Sequence, residues 1–294
     1  MELGAFVNCV KLEIISFEEG SNLTTIKEST FFGCNELKSI SIPSSVGSIG
    51  TWAFFGCSKL ENISFEEDSN LTTIEEFAFK SCSNLKNISI KNQLNLMTIA
   101  NNVFEGCSNL ERISFCGCIK LKSISIPSTI KYIDEHGFYN CSTLENILIP
   151  SSVESIGNYS FYGCSNLINI SIKEESQINE IGDYSFCKCI NLINISIEKL
   201  SNLINIGSYS FSCCVNLISI ILPLQLKEIL SNLFEGCSKL ESITILSNIS
   251  NIYEFSFLNC YNLECIQYFG TEEPNVNQNA FQGCTTLKYI YILI

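Results

Sequence analysis

The stretch Phe161–Ile172, FYGCSNLINISI, returns along the chain with few changes. It reads FFGCNELKSISI from Phe31, FKSCSNLKNISI from Phe79 and FEGCSKLESITI from Phe234. Its fixed points are a Phe and the Cys three residues after it. This pair occurs thirteen times, from Phe6/Cys9 to Phe281/Cys284. Successive Cys stand 23 to 25 residues apart, with a single interval of 11 between Cys107 and Cys118. A fixed period of this length is the signature of a repeat architecture, in which one supersecondary unit is written again and again.

The unit from Leu144 to Asn166, LENILIPSSVESIGNYSFYGCSN, shows what is repeated. Its L-x-x-I-x-I part alternates apolar and polar residues with β-branched side chains inward, which predicts a strand buried on one face. Pro150 closes that strand because it has no N–H for a ladder. Val153 and Ile156 predict a second short extended piece, Gly157 a turn, and SFYGC a tight helical turn beneath Phe161. Longer units replace PSS by five residues such as EEDSN from Glu66, a difference that a turn absorbs at small entropic cost.

One unit buries too little apolar surface to fold alone, so neighbouring units must stack over a shared core. The expected fold is a β-rich leucine-rich repeat solenoid of about 12 repeats of 23–25 residues, spanning 1–294 as a single domain. It places a parallel β-sheet on the concave face and short extended pieces with single helical turns on the convex side. The 11-residue interval makes Phe115 both the last apolar residue of one strand and the first of an F-x-x-C. It predicts a kink or irregular coil near residues 113–120, with a smoothly absorbed short coil as the alternative. Met1 opens inside a repeat and Ile294 closes on a strand, so the sequence reads as a fragment lacking the polar caps that solenoids carry.

The pattern L-x-x-I-x-I-P-x-x-V-x-x-I-G-x-x-[AS]-F-x-x-C is written out in LKSISIPSSVGSIGTWAFFGC from Leu37 and LENILIPSSVESIGNYSFYGC from Leu144. It resembles the BspA-like, treponemal-type leucine-rich repeat family, over essentially the whole chain. The resemblance implies cell-surface attachment and protein binding, as in bacteria and parasitic protists, and it brings no catalytic residues.

Composition narrows the partners. Asp and Glu number 30 against 17 Lys and Arg, a net charge of −13, with no basic cluster. Such a chain is a poor match for nucleic acid or an anionic membrane surface. No apolar run approaches the roughly 18 residues of a membrane span, so membrane insertion by this segment is not expected. The first residues lack the features of a secretory signal.

Little in the sequence supports catalysis. His136 is the only histidine, neither a P-loop nor G-x-G-x-x-G is present, and Glu66/Glu67 read as solvated turn charges. The reading is of a non-enzyme without cofactor. Of the 17 Cys, thirteen share one repeat position and read as buried free thiols. Cys116, Cys187, Cys213 and Cys265 fall outside it. Cys187 with Cys189 and Cys213 with Cys214 raise zinc as an alternative, but without C-x-x-C spacing no metal site is assigned. An odd total cannot pair completely within one chain.

Partner-binding residues are sought where the repeat departs from its own rule. Outward strand positions are mostly Ser and Asn, such as Ser39, Asn62, Ser64 and Asn87. The residue after the leading Leu is charged at Glu61, Lys86, Glu111 and Glu145, but becomes Ile168, Ile193 and Ile218 in three successive units. Leu148 and Ile221 replace Ser nearby, and Tyr289 and Tyr291 stand on the same face near the end. These seven form the candidate partner-binding set, since exposed apolar patches mark interaction sites. The alternatives are coverage by a neighbouring loop or tolerated drift. Trp52, Phe77, His136, Tyr159, Tyr184, Tyr209 and Phe255 share the position two before the repeat Phe and are expected to pack on the next coil. Two functions follow. One is a cell-surface or extracellular adhesion and recognition module that binds matrix, host-cell or other surface proteins. The other is a cytoplasmic protein-interaction scaffold with free thiols. End-to-end stacking of coils is a route to oligomers in either case.

Overall fold

The computed structural model describes residues 2–18, 20–93 and 95–292. Met1, Glu19, Leu94, Leu293 and Ile294 lie outside the described residues, and so do the terminal positions at which the sequence reads as uncapped. The chain forms two compact units, Met1–Lys131 and Tyr132–Ile294. Each is a parallel β-solenoid in which the coils stack in register.

In the first unit, Ser39–Ile42 pairs with Asn62–Phe65, and Asn87–Ser89 with Arg112–Ser114. A second ladder joins the short pieces Thr25–Ile26, Ser48–Ile49, Thr73–Ile74 and Thr98–Ile99. The second unit repeats the plan. Asn146–Ile149, Asn169–Ile172 and Asn194–Ile195 pair in order, as do Ser219–Leu222, Ser242–Ile245, Cys265–Tyr268 and Tyr289–Ile292. Every pairing is parallel and sets the apolar inward positions on one another, as in Ile40↔Ile63 and Ile147↔Ile170. Alternation does what the period requires, with Ser39–Ile42 and Asn146–Ile149 both reading exposed, buried, exposed, buried.

The F-x-x-C segment departs from expectation, because no helix forms among the described residues. It is instead a chain of tight turns. Ala53 N donates to Gly50 O at 3.2 Å and Cys57 N to Phe54 O at 3.2 Å. Each turn carries a left-handed residue: Trp52 at φ 55° and Gly56 at φ 71°. The residue two after the repeat Phe is left-handed in every copy, from Asn8 and Gly33 to Asn259 and Gly283. These left-handed residues re-aim the backbone. In a helix each N–H returns to its own chain, four residues back. Here Trp52, Phe54 and Gly56 donate instead to Glu76, Ala78 and Lys80 O of the next coil, at 3.3, 2.7 and 2.9 Å. The turn side is thereby laced coil to coil like the sheet side. Gly157 serves close approach of another kind. Its N donates to Ile133 O at 2.9 Å, and a Cβ there would stand 2.7 Å from Glu135 N.

Between the two ladders the repeat Phe rings form a stack. In the first unit Phe6, Phe31, Phe54, Phe79 and Phe104 follow one another at centroid distances of 5.4, 5.2, 5.0 and 5.9 Å. In the second, Phe138, Phe161, Phe186, Phe211, Phe234, Phe257 and Phe281 do so at 4.9–5.6 Å. Rings within this range and nearly parallel add attraction beyond their burial.

The repeat Cys has a role that packing alone does not supply. Its thiol donates to the carbonyl of the preceding coil's Phe: Cys57 Sγ to Phe31 O at 3.3 Å, Cys82 to Phe54 at 3.2 Å, Cys189 to Phe161 at 3.2 Å and Cys237 to Phe211 at 3.1 Å. That same carbonyl already accepts a backbone N–H within its own turn, as Phe31 O does from Cys34 N at 3.2 Å. Both lone pairs of a buried carbonyl are satisfied, one by the turn and one by the next coil.

The 11-residue interval has a simple local geometry. Phe104 stacks on Phe79, whereas Phe115 takes the place over Ile90, where Ile90 N donates to Ser114 O at 2.8 Å and Asn92 N to Cys116 O at 2.7 Å. Cys118 Sγ donates to Ile90 O at 3.4 Å. Phe79 and Ile90 are the two sides of one coil, so Cys107 and Cys118 belong to opposite sides of the next.

Burial pushes the thiols of Cys57, Cys107 and Cys118 up to about 12 and that of Cys34 to about 11. All 17 Cys are free, and only Cys9, Cys116, Cys213, Cys265 and Cys284 are partly exposed. Titration with a disulfide reagent at pH 8 will find no more than five fast thiols in the folded chain and 17 after denaturation. More than five before unfolding would contradict this packing. Thermal melts against pH supply a second check. A thiol that stays protonated in the fold but ionises near 9 when unfolded leaves stability intact below pH 9. As pH rises toward 12 that stability is lost, by up to ~1.4 kcal/mol per thiol per pH unit.

Candidate partner-binding surface

The residue after the leading Leu forms a continuous column in each unit. In the first unit it alternates in sign: Glu13, Lys38, Glu61, Lys86 and Glu111. Backbone bonds tie it together, Lys38 N to Glu13 O at 3.1 Å and Glu61 N to Lys38 O at 2.9 Å. Side chains follow suit. Lys38 Nζ lies 2.7 Å from Glu13, and Lys131 Nζ 2.9 Å from Glu111. The Lys38 ammonium holds the Glu13 carboxyl below the usual carboxylate range, and Lys131 does the same for Glu111. A ladder of alternating charge is what a solvated column 4.7–4.9 Å in repeat tolerates, since like charges at that spacing repel.

In the second unit the same column reads Glu145, Ile168, Ile193, Ile218, Glu241, Glu264 and Lys288. Its backbone is unbroken: Ile168 N donates to Glu145 O at 2.9 Å, Ile193 N to Ile168 O at 3.2 Å and Ile218 N to Ile193 O at 3.5 Å. Among the described residues no loop covers the isoleucines, which are 36, 41 and 43% exposed. They line one side of a shallow groove of about 330 Å³, whose other side is Asn191, Asn216 and Lys239. Asn216 Nδ2 donates to Asn191 Oδ1 at 3.2 Å, fixing that wall as an amide ladder. These three share the position two after the repeat Cys. Sequence reasoning passed over them because that position reads as plain turn, although the matched Asn191/Asn216 pair at one register was a usable signal.

The other candidates are exposed but lie apart from the groove. Leu148 pairs with Ser171 and Ile221 with Thr244. They occupy one outward column in which Ser171 and Ser196 come between them, so they do not extend the isoleucine run. Tyr289 and Tyr291 are half exposed, with rings 5.8 Å apart. Tyr289 continues the column of Ser242 and Cys265, and Tyr291 that of Thr244 and Gln267. The candidate set therefore divides into a contiguous apolar run and two separate exposed groups.

The aromatic column packs on itself as expected. His136, Tyr159, Tyr184 and Tyr209 are spaced 5.2, 4.8 and 4.5 Å apart with rings within 7° of parallel. All four are left-handed, and His136 also faces Glu135 at 3.8 Å. Cys189 and Cys214 are turned inward toward the Phe161 and Phe186 carbonyls. Among the described residues no cluster of three or more His, Cys, Asp or Glu is placed to hold a metal ion. Among the described residues there is no helix long and apolar enough to cross a membrane.

Replacing Ile168, Ile193 and Ile218 by Ser removes partly exposed apolar side chains from the outer column and leaves the buried Leu and Ile positions of the strands untouched. The triple variant will fold with a change of no more than about 0.5 kcal/mol per site and bind less of a hydrophobic dye than the parent. A large loss in a denaturant melt would show that these side chains support the coil instead.

The profile of the BspA type leucine rich repeat region, in six copies, matches residues 1–116, 110–201 and 175–288. Among solved structures, that of the pneumococcal vaccine antigen PcpA is 26% identical, covers 94% of this chain and 67% of its own, and superposes with a TM-score of 0.50. A leucine-rich repeat protein from Bacteroides ovatus is also 26% identical, covering 99% of this chain and 80% of its own at a TM-score of 0.42. No curated protein matches. The L-x-x-I-x-I strands, the left-handed F-x-x-C turns and the profile that covers them place the chain in the BspA type leucine-rich repeat family.

Proposed function

We propose that this chain is a non-catalytic recognition module displayed at a cell surface, where it binds a protein of the matrix, a host cell or another cell. The observation that carries the reading is the isoleucine run in a column that elsewhere carries Glu or Lys and alternates in sign through the first unit. Exposing three isoleucines where the repeat otherwise places Glu or Lys costs solubility, and an interface that covers them returns that cost. Kinship with a vaccine antigen supports the surface location. The regular Ser and Asn face beside the groove adds a polar rim and few anchors, which suits contact centred on Ile168, Ile193 and Ile218.

A cytoplasmic scaffold is the second reading, favoured by 17 free thiols. Burial weakens that argument. Thiols of pKa about 11–12 that donate to a carbonyl inside the stack are poor nucleophiles and meet no oxidant. Surface labelling of intact source cells with a membrane-impermeant amine reagent separates the two. Exposed lysines such as Lys38, Lys59 and Lys288 are the acceptors. Labelling without lysis is expected, and labelling only after lysis would overturn the surface reading.

A further inference from the structure

Taking the isoleucine column as the docking surface, we propose that its occupant is a basic amphipathic α-helix laid along the stacking direction. The first argument is period. Parallel coils repeat at ~4.8 Å, so Ile168 to Ile218 spans about 9.6 Å in two steps. A helix advances ~5.4 Å per turn, and side chains at i, i+3 or i+4, and i+7 span about 10.5 Å. The two rows stay in step over all three isoleucines. A strand laid the same way presents one face every ~6.6–6.8 Å and a polyproline helix every ~9.3 Å, and both are out of step by the second residue.

The second argument is charge. The run is bounded in its own column by Glu145 before Ile168 and Glu241 after Ile218. Among the described residues neither carboxylate has an ion pair, and neither has Glu61, which however lies between Lys38 and Lys86 in its column, whereas Glu13, Glu111 and Glu264 in equivalent positions do. Four coil steps separate Glu145 from Glu241, about 19 Å, or the length of ~13 helical residues. An apolar seam of three residues, one per turn, with Lys or Arg near each end of a helix of that length satisfies both carboxylates. Lys239 stands on the asparagine wall across the groove, so the acidic rail is one-sided and sets the helix's rotation. A net charge of −13 favours the approach of a basic partner.

The test pans two phage-displayed libraries of 15-residue peptides, one in a helix-forming background and one identical but for a central Pro. Targets are the whole chain, the variant I168S/I193S/I218S and the variant E145K/E241K. Enriched peptides are then synthesised and their binding read by fluorescence anisotropy. Expected is enrichment from the Pro-free library alone, of peptides with apolar residues at one-turn spacing and basic ends. Those peptides will bind both variants about tenfold or more weakly, and high salt will weaken their binding. Equal enrichment from the Pro library, or enrichment of peptides with acidic or neutral ends, overturns the helix while leaving an isoleucine-dependent docking surface. No enrichment, or binding unchanged in I168S/I193S/I218S, overturns both. E145K/E241K alters only exposed carboxylates, so it remains informative if the isoleucine variant misfolds.

Discussion

One carbonyl per coil, that of the repeat Phe, carries most of the constraint on this sequence. It accepts the Cys N–H of its own turn and the Cys thiol of the coil that follows, as Phe54 O does from Cys57 N at 3.2 Å and from Cys82 Sγ at 3.2 Å. A buried carbonyl left half satisfied is tolerated in proteins, but repeated in every coil it would be a recurring penalty. Serine in place of Cys would donate as well but bring a more polar group into a fully apolar shell, and Ala would not donate. Cys is small, mostly apolar and able to donate weakly, which is the combination this position needs. The recurrence of Cys is therefore a backbone requirement expressed in a side chain.

The same logic explains the left-handed residues. A turn whose N–H groups satisfied each other would leave its edge unconnected to the coil above. Alternating left-handed residues send every second N–H along the stack, at Trp52, Phe54 and Gly56 in one coil and at Tyr159, Phe161 and Gly163 in another. A bulky residue in that region of φ costs about 1–2 kcal/mol. The aromatic residues at Trp52, Phe77, Tyr159, Tyr184 and Tyr209 offset it by stacking, which a glycine would not do. Glycine recurs instead on the other side of the Phe, at Gly33, Gly56 and Gly163, where it adopts the left-handed φ of 71–72° without strain.

This division marks what the sequence could disclose. Period-two alternation in L-x-x-I-x-I and the invariant Phe are properties of side-chain burial, so strands, stacking and core were legible from residue types alone. The turns were not. SFYGC and AFFGC contain nothing that forbids a helical turn, and an aromatic at Tyr159 argues against left-handed φ on local grounds. What decides the conformation is the neighbouring coil's carbonyl, which lies 23 to 25 residues away in sequence. Register likewise decided the candidate surface. Ile168, Ile193 and Ile218 share one repeat position and so had to align, whereas Leu148 and Ile221 share theirs only with Ser171 and Ser196 between them. Asn191 and Asn216 stand only two residues before Ile193 and Ile218, but their position reads as plain turn until the coils stack and the amides pair along the wall of the groove.

A stack of near-identical coils imposes a particular relation between scaffold and site. Each column is a one-dimensional lattice in which any residue meets copies of its own position above and below, so alternating charges attract and a polar group can pair with its like, whereas adjacent like charges such as Glu241 and Glu264 repel. Glu13 and Lys38 obey the first rule, Asn191 and Asn216 the second. A run of isoleucine satisfies neither need, because it has no charge to balance and no polar atom to pair. It relieves repulsion in the column but leaves Glu145 and Glu241 at its ends without the lysines that an alternating ladder would have supplied. The apolar seam and the unpaired carboxylates are thus one event in the sequence seen twice, and a partner that covers the first is placed to pair the second.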